Sequence, residues 1–400
     1  MTDRKIAIIG GGAAGYFAAA RLRKSAPGWT VVIFEAGPRP LAKVAITGGG
    51  RCNLTNSFEG VRSVAQAYPR GARLLERSFR TFGPADTLKW FEKAGVRCVT
   101  QPDHCVFPAS QDAMQVVRTL LRAADGVQLR CNTKIEEITP SVTGWEIAGE
   151  RFDAVLITTG GMQREGGFIR KLGLSVETPV PSLFTFRIDD PITHMAGSVV
   201  DASASLSGTK FRAEGPLLIT DWGMSGPAIL KLSSYAARYL AENGYRANLS
   251  VRWLPGTEDE VRSRLKALSE SSPRRFVSSA HPEEIPSRLW AHLCGKWGIP
   301  ATARWSEVGQ AGFNRIASGI MSDPYLIAGK SRFKEEFVTC GGVALSEIDP
   351  ATMQAKRLPG LFFAGEVLDI DAITGGFNLQ AAWTTGFLAA EGMLKTLEHE

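Results

Sequence analysis

The stretch IIGGGAAGYFAA, Ile8–Ala19, carries the strongest local signal in this 400-residue sequence. Gly10, Gly12 and Gly15 stand in G-x-G-x-x-G spacing, directly after the apolar run Lys5–Ile9 and at the start of a segment with helical apolar spacing. Glycines at this spacing let the backbone approach a pyrophosphate, while the helix that follows directs N–H groups and a positive dipole end toward it. The sequence therefore predicts an α/β domain that opens with a dinucleotide-binding strand, turn and helix.

A second predicted strand, Thr30–Phe34, ends at Glu35, about 20 residues after the glycine motif. A carboxylate at this point accepts a hydrogen bond from the adenosine ribose, whereas the 2′-phosphate of NADP would require an arginine. The predicted strand Ala154–Thr159 ends at Gly160 and follows the β-meander predicted for Val127–Ile157. Both features extend the predicted nucleotide-binding sheet.

The carboxyl-terminal part of the chain favours FAD over NAD. An apolar strand in Gly360–Ile370 runs into Gly365 and Glu366, and Thr374–Leu394 is a glycine turn that opens a helix. The amino end of such a helix can stabilise negative charge on a reduced flavin, which an NAD site does not need. The cofactor is predicted to be noncovalent, because no His or Cys stands in a recognisable flavinylation motif. We expect a side chain at Gly376 to strike the flavin or its donors, and a side chain at Gly386 to matter much less.

The loop GGGRCNLTN, Gly48–Asn56, combines bare backbone with polar side chains. Its glycines are predicted to let N–H groups approach the pyrophosphate or the flavin, with Arg51 neutralising phosphate and Asn53 bonding the isoalloxazine edge. The alternative is a glycine loop that its own asparagines stabilise. Cys52 is interpreted as a packed thiol, since no C-x-x-C partner is present.

The candidate FAD-binding residues are Gly10, Gly12, Ala13, Ala14, Gly15, Glu35, Ala36, Lys43, Gly48, Gly49, Arg51, Cys52, Asn53, Ile135, Thr159, Gly160, Gly365, Glu366, Asp369, Gly376, Asn378 and Leu379. The sequence identifies no catalytic acid or base and predicts no metal site.

Long stretches of the chain match a known family in order. They are Ile8–Ala19, Gly48–Asn56, VFPAS at Val106–Ser110, GMSGPAIL at Gly223–Leu230, and Thr339–Gly386. With them the sequence resembles the YhiN-like (HI-type) FAD-dependent flavoproteins, which include aminoacetone oxidase and homologues of bile-acid dehydroxylation reductases. The resemblance implies a Rossmann-like, glutathione-reductase-like FAD domain at residues 1–183 and 337–400, interrupted by an inserted β-rich substrate domain with a small helical cap at 184–336.

The residues themselves agree with an insertion. Strands are predicted at Leu183–Ile188, Val199–Leu206 and Leu217–Ile219, and a helix at Ala228–Glu242. Helical periodicity also runs through Glu258–Trp297, with interruptions at prolines.

Composition describes an ordinary globular protein, with 44% apolar and 22% charged residues. The six cysteines form no C-x-x-C, which favours reduced thiols, and no apolar run reaches the length of a membrane span, so we expect a cytoplasmic protein without a membrane partner. The net charge is +6, but lysines and arginines are scattered, so a nucleic-acid partner is not favoured.

No second nucleotide motif is present, so we expect NAD(P)H to reach the flavin through the substrate cleft, or oxygen to reoxidise it. The predicted function is an FAD-dependent oxidoreductase for a small organic substrate, either monomeric or homo-oligomeric. Two alternatives stay open: a flavin-dependent tRNA-modifying enzyme and a non-catalytic FAD-binding protein.

Overall fold

A computed structural model describes residues 3–162, 167–330 and 338–398. The chain divides into two compact units, Met1–Val180 with Val338–Glu400, and Pro181–Phe337.

The strands of the described residues are, in chain order, β1 (Lys5–Ile9), β2 (Thr30–Phe34), β3 (Thr55–Asn56), β4 (Cys98–Thr100), β5 (Cys105–Pro108), β6 (Gln128–Arg130), β7 (Thr139–Ser141), β8 (Gly144–Ile147), β9 (Glu150–Phe152), β10 (Ala154–Ile157), β11 (Val176–Ser182), β12 (Phe186–Ile188), β13 (Val199–Leu206), β14 (Arg212–Thr220), β15 (Gly223–Ser225), β16 (Ala247–Arg252), β17 (Asp323–Lys330), β18 (Val338–Val343) and β19 (Leu361–Phe363). The α-helices are α1 (Ala13–Ser25), α2 (Ala42–Ile46), α3 (Val64–Ala67), α4 (Ala72–Ser78), α5 (Pro84–Lys93), α6 (Ala113–Ala123), α7 (Gly167–Lys171), α8 (Pro227–Tyr235), α9 (Ala237–Glu242), α10 (Glu258–Ser271), α11 (Ser287–Lys296), α12 (Gly309–Met321) and α13 (Phe377–Glu398).

The first unit is built on a parallel sheet in the order β19-β10-β1-β2-β6. Its central strands are apolar and buried, as expected for a parallel sheet that is covered on both faces. Ile9 pairs with Phe34 on one side and with Ile157 on the other, and Ile157 pairs with Phe363. The four strands therefore end in one row, and the residues that follow them meet at the carboxyl edge of the sheet.

The rest of the first unit surrounds this sheet. Helix α1 packs on α13, and small antiparallel sheets form from β3-β5-β4 and from β7-β8-β9. The segment predicted as a meander forms three parts: the edge strand β6, the separate sheet β7-β8-β9 and the central strand β10. The prediction of a Rossmann-type α/β fold is confirmed.

The second unit contains a closed barrel in the order β12-β15-β14-β13-β16-β17. The predicted strand Val199–Leu206 matches β13 residue for residue, whereas the predicted helix Ala228–Glu242 is divided into α8 and α9 at Ala236. The sequence did not predict β16, β17 or α12.

One buried acid helps to hold the barrel and its helices together. Asp323 is fully buried and accepts hydrogen bonds from Trp253 Nε1 at 3.0 Å and Trp297 Nε1 at 3.3 Å, while Lys296 Nζ lies 2.9 Å from its Oδ1. The Tyr325 hydroxyl also donates to Asp323, and burial, with this carboxylate beside it, raises the pKa of Tyr325 far above its ordinary value. We interpret this group as structural, since protein donors surround the carboxylate.

Within the described ranges, no helix combines the length and the apolar character that crossing a bilayer would require.

Candidate dinucleotide site

The amino end of α1 is open to a ligand. Gly12 precedes the helix without a side-chain cap, and a Cβ built on it meets nothing within 4 Å. In the part of the chain that the structure describes, the backbone N–H groups of Gly12, Ala13 and Ala14 have no hydrogen-bond acceptor. An uncapped helix end with free space in front of it suits a phosphate group.

The other two motif glycines are required by the protein's own packing. Gly10 has φ +112°, and a Cβ on it would lie 2.3 Å from the carbonyl oxygen of Thr158. A Cβ on Gly15 would lie 2.2 Å from the carbonyl oxygen of Gly10. These two positions shape the turn, and Gly12 leaves its outer side open.

Glu35 directs its carboxylate into the same turn. Its Oε2 accepts from the Gly11 N–H at 2.8 Å, and its Oε1 accepts from the Gly37 N–H at 2.7 Å. Each carboxylate oxygen has a second lone pair, which leaves capacity for a ribose hydroxyl. Ala36 is exposed beside it, and Ile135 is half-buried two residues after Thr133, whose N–H donates to the Glu35 carbonyl.

A second acid stands where β10 and β19 end. Glu366 Oε1 accepts from the Thr339 N–H at 2.9 Å, and its Oε2 lies 3.7 Å from a Cβ built on Gly160. Gly365 faces the first turn of α1, because a Cβ on it would lie 3.0 Å from Ala14 Cβ. Thr159, next to Gly160, is exposed. A backbone donor thus holds the carboxylate next to the ends of these strands.

Lys43 supplies an exposed positive charge at this point. It lies on α2, its side chain is 72% exposed, and its Nζ is 3.4 Å from Glu366 Oε2. An exposed ion pair of this length is weak, so the lysine can also serve a phosphate.

The loop Gly48–Asn56 packs against the buried ring of Phe107. Gly48 and Gly49 have positive φ, and the Arg51 guanidinium lies 4.3 Å from the centre of the Phe107 ring, with Nε donating to the Gly48 carbonyl at 3.3 Å. Cys52 is fully buried, and burial raises its pKa to about 12. Its thiol therefore stays protonated at neutral pH, as a packed thiol would.

Asn53 links this loop to the amino end of α13. In the amide orientation that satisfies its neighbours, Nδ2 donates to the carbonyls of Thr55 at 2.9 Å and Val106 at 3.2 Å, and Oδ1 accepts from the Gly376 N–H at 3.2 Å. The predicted bond from Asn53 to the isoalloxazine would compete with three backbone groups. The sequence analysis did not predict that Asn53 would bind the backbone of Gly376.

Gly376 has φ +86°, and a Cβ on it would lie 2.3 Å from the Thr55 carbonyl oxygen. The glycine is therefore required by the protein backbone, a reason different from the expected contact with the flavin. Asn378 closes the same turn, since its side chain accepts from the Ala372 N–H and donates to the Ala372 carbonyl. Asp369, upstream, is half-buried, with its N–H donating to Val343.

The amino end of α13 carries a second set of unsatisfied donors. Among the described residues, no acceptor is found for the backbone N–H groups of Phe377, Asn378 and Leu379. The helix crosses α1 where a Cβ on Gly386 would lie 2.7 Å from the Ala14 carbonyl oxygen. Nine residues separate Phe377 from this crossing, or about 14 Å along the helix. Two donor-rich helix ends thus lie roughly this far apart on two helices that pack together, a span suited to an extended dinucleotide.

Sequence reasoning missed the residues that hold the amino end of α13 and the Glu366 carboxylate in place. They are Asn56, Tyr68, Arg70, Thr339 and Asp371. Asn56 lies in the quoted glycine loop, but its partner Gly375 is 319 residues away, which no local pattern indicates.

These features fit FAD. The free space at Gly12 and the unsatisfied donors at α1 suit its pyrophosphate, Glu35 suits its adenosine ribose, and the donors at α13 suit a flavin ring that becomes negative on reduction. A Rossmann-type sheet with these elements at its carboxyl edge defines an FAD-binding flavoprotein.

The chain belongs to the HI0933-like family, since the family model described as "HI0933-like protein Rossmann domain" matches residues 4–392. It is an FAD-dependent oxidoreductase, as the sequence predicted, and the non-catalytic alternative is not supported.

The relatives span the whole chain. The protein is similar to the 3-dehydro-bile acid delta(4,6)-reductase of Clostridium scindens, with 30% identity over 409 residues, covering 96% of this chain and 98% of the relative. It is also similar to the ribosomal RNA dihydrouridine synthase of Escherichia coli, with 26% identity over 406 residues and 97% of both chains covered.

A solved 3-ketosteroid delta1-dehydrogenase from Sterolibacterium denitrificans, in complex with 1,4-androstadiene-3,17-dione, aligns with a TM-score of 0.51. It is 12% identical and covers 99% of this chain and 100% of its own, which supports the fold alone.

Proposed function

We propose that this protein is an FAD-dependent reductase that saturates a carbon–carbon double bond conjugated to a carbonyl group in a small organic substrate. The observation that carries the proposal is the 30% identity, over almost the whole of both chains, to a delta(4,6)-reductase of a 3-dehydro-bile acid. The name describes reduction of ring double bonds in a molecule with an oxo group. A dihydrouridine synthase likewise saturates a ring double bond beside a carbonyl, so the two named reactions share one chemistry.

Bound FAD would supply two-electron transfer to the double bond. We propose that Gly12, Ala13 and Ala14 hold its pyrophosphate, with Glu35 on the adenosine ribose and Glu366 on the hydroxyl groups between the two ends. The unpartnered N–H groups of α13 then stabilise negative charge at the pyrimidine side of the ring. In the substrate, the double-bond carbon farther from the carbonyl would gain a hydride, whose electrons the reduced cofactor supplies, and the nearer carbon would gain a proton from solvent.

The proposal includes NAD(P)H as the electron donor and a noncovalent cofactor. Residues 1–183 and 337–400 are assigned to the FAD domain, and residues 184–336 to substrate selection. The remaining candidate residues of the first unit, including Lys43, Arg51 and Asn53, stay proposed contributors to the cofactor site.

A uracil ring in RNA is the second candidate substrate. It is favoured by the 26% identity to a ribosomal RNA dihydrouridine synthase. Because both candidate substrates would undergo the same reaction, they differ in size and not in chemistry.

The test is reoxidation of the reduced holoprotein without oxygen. After anaerobic photoreduction, the protein is mixed with a cyclic conjugated dienone, with the matched ketone whose double bond is isolated, and with a uridine-containing RNA oligonucleotide. We expect the dienone to reoxidise the flavin at least about 100-fold faster than the isolated alkene, because only the conjugated carbonyl stabilises the charge that develops. The product should gain two hydrogens by mass.

If only the oligonucleotide reoxidises the flavin, a uracil ring in RNA is the substrate, and the small-molecule candidate is wrong. No reoxidation by the dienone, or equal rates with the dienone and the isolated alkene, would contradict the proposal.

A further inference from the structure

A segment near the glycine loop forms a seat for the turn that precedes α13. Its contacts with Ile370–Phe377 come from residues 53–71. The two segments run in opposite directions along these contacts, except that Tyr68 contacts Phe377. They are Asn53 with Gly376, Asn56 with Gly375, Ala67 with Ile373, Tyr68 with Phe377, Arg70 with Asp371, and Gly71 with Ile370.

The polar contacts of this seat are buried. Asn56 is 4% exposed; its Nδ2 donates to the Gly375 carbonyl at 3.0 Å, and its Oδ1 accepts from the Phe58 N–H at 2.9 Å. The Tyr68 hydroxyl donates to the Phe377 carbonyl at 2.8 Å. Hydrogen bonds in such surroundings are expensive to lose, so they restrain the turn strongly.

The strongest restraint is the pair Arg70–Asp371. Two guanidinium nitrogens of Arg70 donate to the two carboxylate oxygens of Asp371, and the two backbones also form an isolated antiparallel bridge. Their side chains are 11% and 0% exposed. A bidentate pair fixes direction as well as distance, and neither charge can easily leave this environment.

We propose that Asn56, Arg70 and Asp371 are positioning residues that aim the unpartnered N–H groups of Phe377, Asn378 and Leu379, and thereby set the reduction potential of bound FAD. The inference rests on the FAD site of the proposed function, but not on the proposed substrate. The helix end stabilises the reduced, negatively charged ring only while its donors keep their direction, because the interaction of a dipole with a charge depends on the angle between them. The polar loop Gly48–Asn56 then affects the flavin indirectly, because it holds the amino end of α13.

The experiment measures the two-electron potential of the holoprotein by anaerobic dye equilibration, without any substrate. For Asn56→Ser, which changes no charge, we expect the preference for reduced over oxidised FAD to fall about tenfold, which corresponds to a potential about 30 mV more negative. Arg70→Lys also keeps the net charge but loses the two-bond geometry, so it should shift the potential in the same direction. Because no substrate is present, failure of the proposed reaction would leave this measurement unaffected.

The matched control is Arg21→Gln. It removes the ion pair between Arg21 and Glu391, 2.5 Å apart, which holds the same helix farther along and is partly exposed. We expect this variant to keep the parent's potential even if it unfolds at a lower temperature.

An Asn56→Ser holoprotein with the parent's potential would overturn the inference, as would an equal shift in Arg21→Gln. If Asn56→Ser retains no FAD, Arg70→Lys decides by the same measurement. A more negative potential supports the positioning role, and an unchanged one overturns it.

Discussion

Replacement of Gly12 by aspartate is expected to reduce FAD affinity at least about 100-fold, a loss of about 2.7 kcal/mol, without weakening the fold. Gly12 has φ −88° and free space beyond it, so the protein can accept the new side chain. The carboxylate would occupy the space proposed for the pyrophosphate and repel its charge. The free energy of unfolding of the FAD-free protein should stay the same or rise by a few tenths of a kcal/mol, since aspartate is a better helix cap than glycine. Equilibrium titration with FAD and urea unfolding measure the two effects.

Gly28→Asp is the matched control. Gly28 also has nothing within 4 Å of an added Cβ, but it lies beyond the carboxyl end of α1. We expect its FAD affinity to equal that of the parent, and its stability to change by less than about 0.5 kcal/mol. If Gly12→Asp also binds FAD as the parent does, the space in front of α1 is not the pyrophosphate site.

Replacement of Gly386 by alanine is expected to destabilise the protein by about 1 to 3 kcal/mol, although alanine normally strengthens a helix. The sequence analysis predicted that a side chain at this position would matter little, whereas the structure predicts a steric clash. The added Cβ would lie 2.7 Å from the carbonyl oxygen of Ala14 and 3.3 Å from its Cα, so α1 and α13 must separate. Because Ala14 belongs to the first turn of α1, FAD affinity should fall about tenfold, or about 1.4 kcal/mol. Thermal unfolding and FAD titration test both expectations.

The same substitution at Gly295 provides the comparison. Gly295 lies in α11 with nothing within 4 Å of an added Cβ, so Gly295→Ala should gain about 0.5 kcal/mol from helix propensity. A stabilising effect at both glycines would show that the contact between α1 and α13 can relax, against our account.

The nucleotide-binding fold could be predicted from the sequence because its signals are local. Gly10, Gly12, Gly15 and Glu35 all lie within one βαβ unit, where spacing alone determines which atoms meet. The strand β13 was predicted with its exact bounds, because apolar and other residues alternate along it with the strand's two-residue period.

Other features depend on distant parts of the chain. Arg70 meets Asp371 across 301 residues, and neither residue stands in a motif. Barrel closure joins β12 to β17, and β17 contains Pro324, which weakens its strand signal. Gly376 and Gly386 show the same limit. Their sequence environment indicates glycines in or near a helix, but each must be glycine because a side chain would collide with a distant residue, Thr55 for Gly376 and Ala14 for Gly386.

The most direct test of the central claim, that FAD lies along the carboxyl edge of the first unit's sheet, is hydrogen–deuterium exchange of the FAD-free and FAD-reconstituted protein at single-residue resolution. The amides of Gly12, Ala13 and Ala14 at one helix end, and of Phe377, Asn378 and Leu379 at the other, have no partner in the described chain and should exchange quickly without cofactor. We predict that FAD slows both sets together. Slowing confined to residues 181–330, or no slowing at either helix end, would contradict the account.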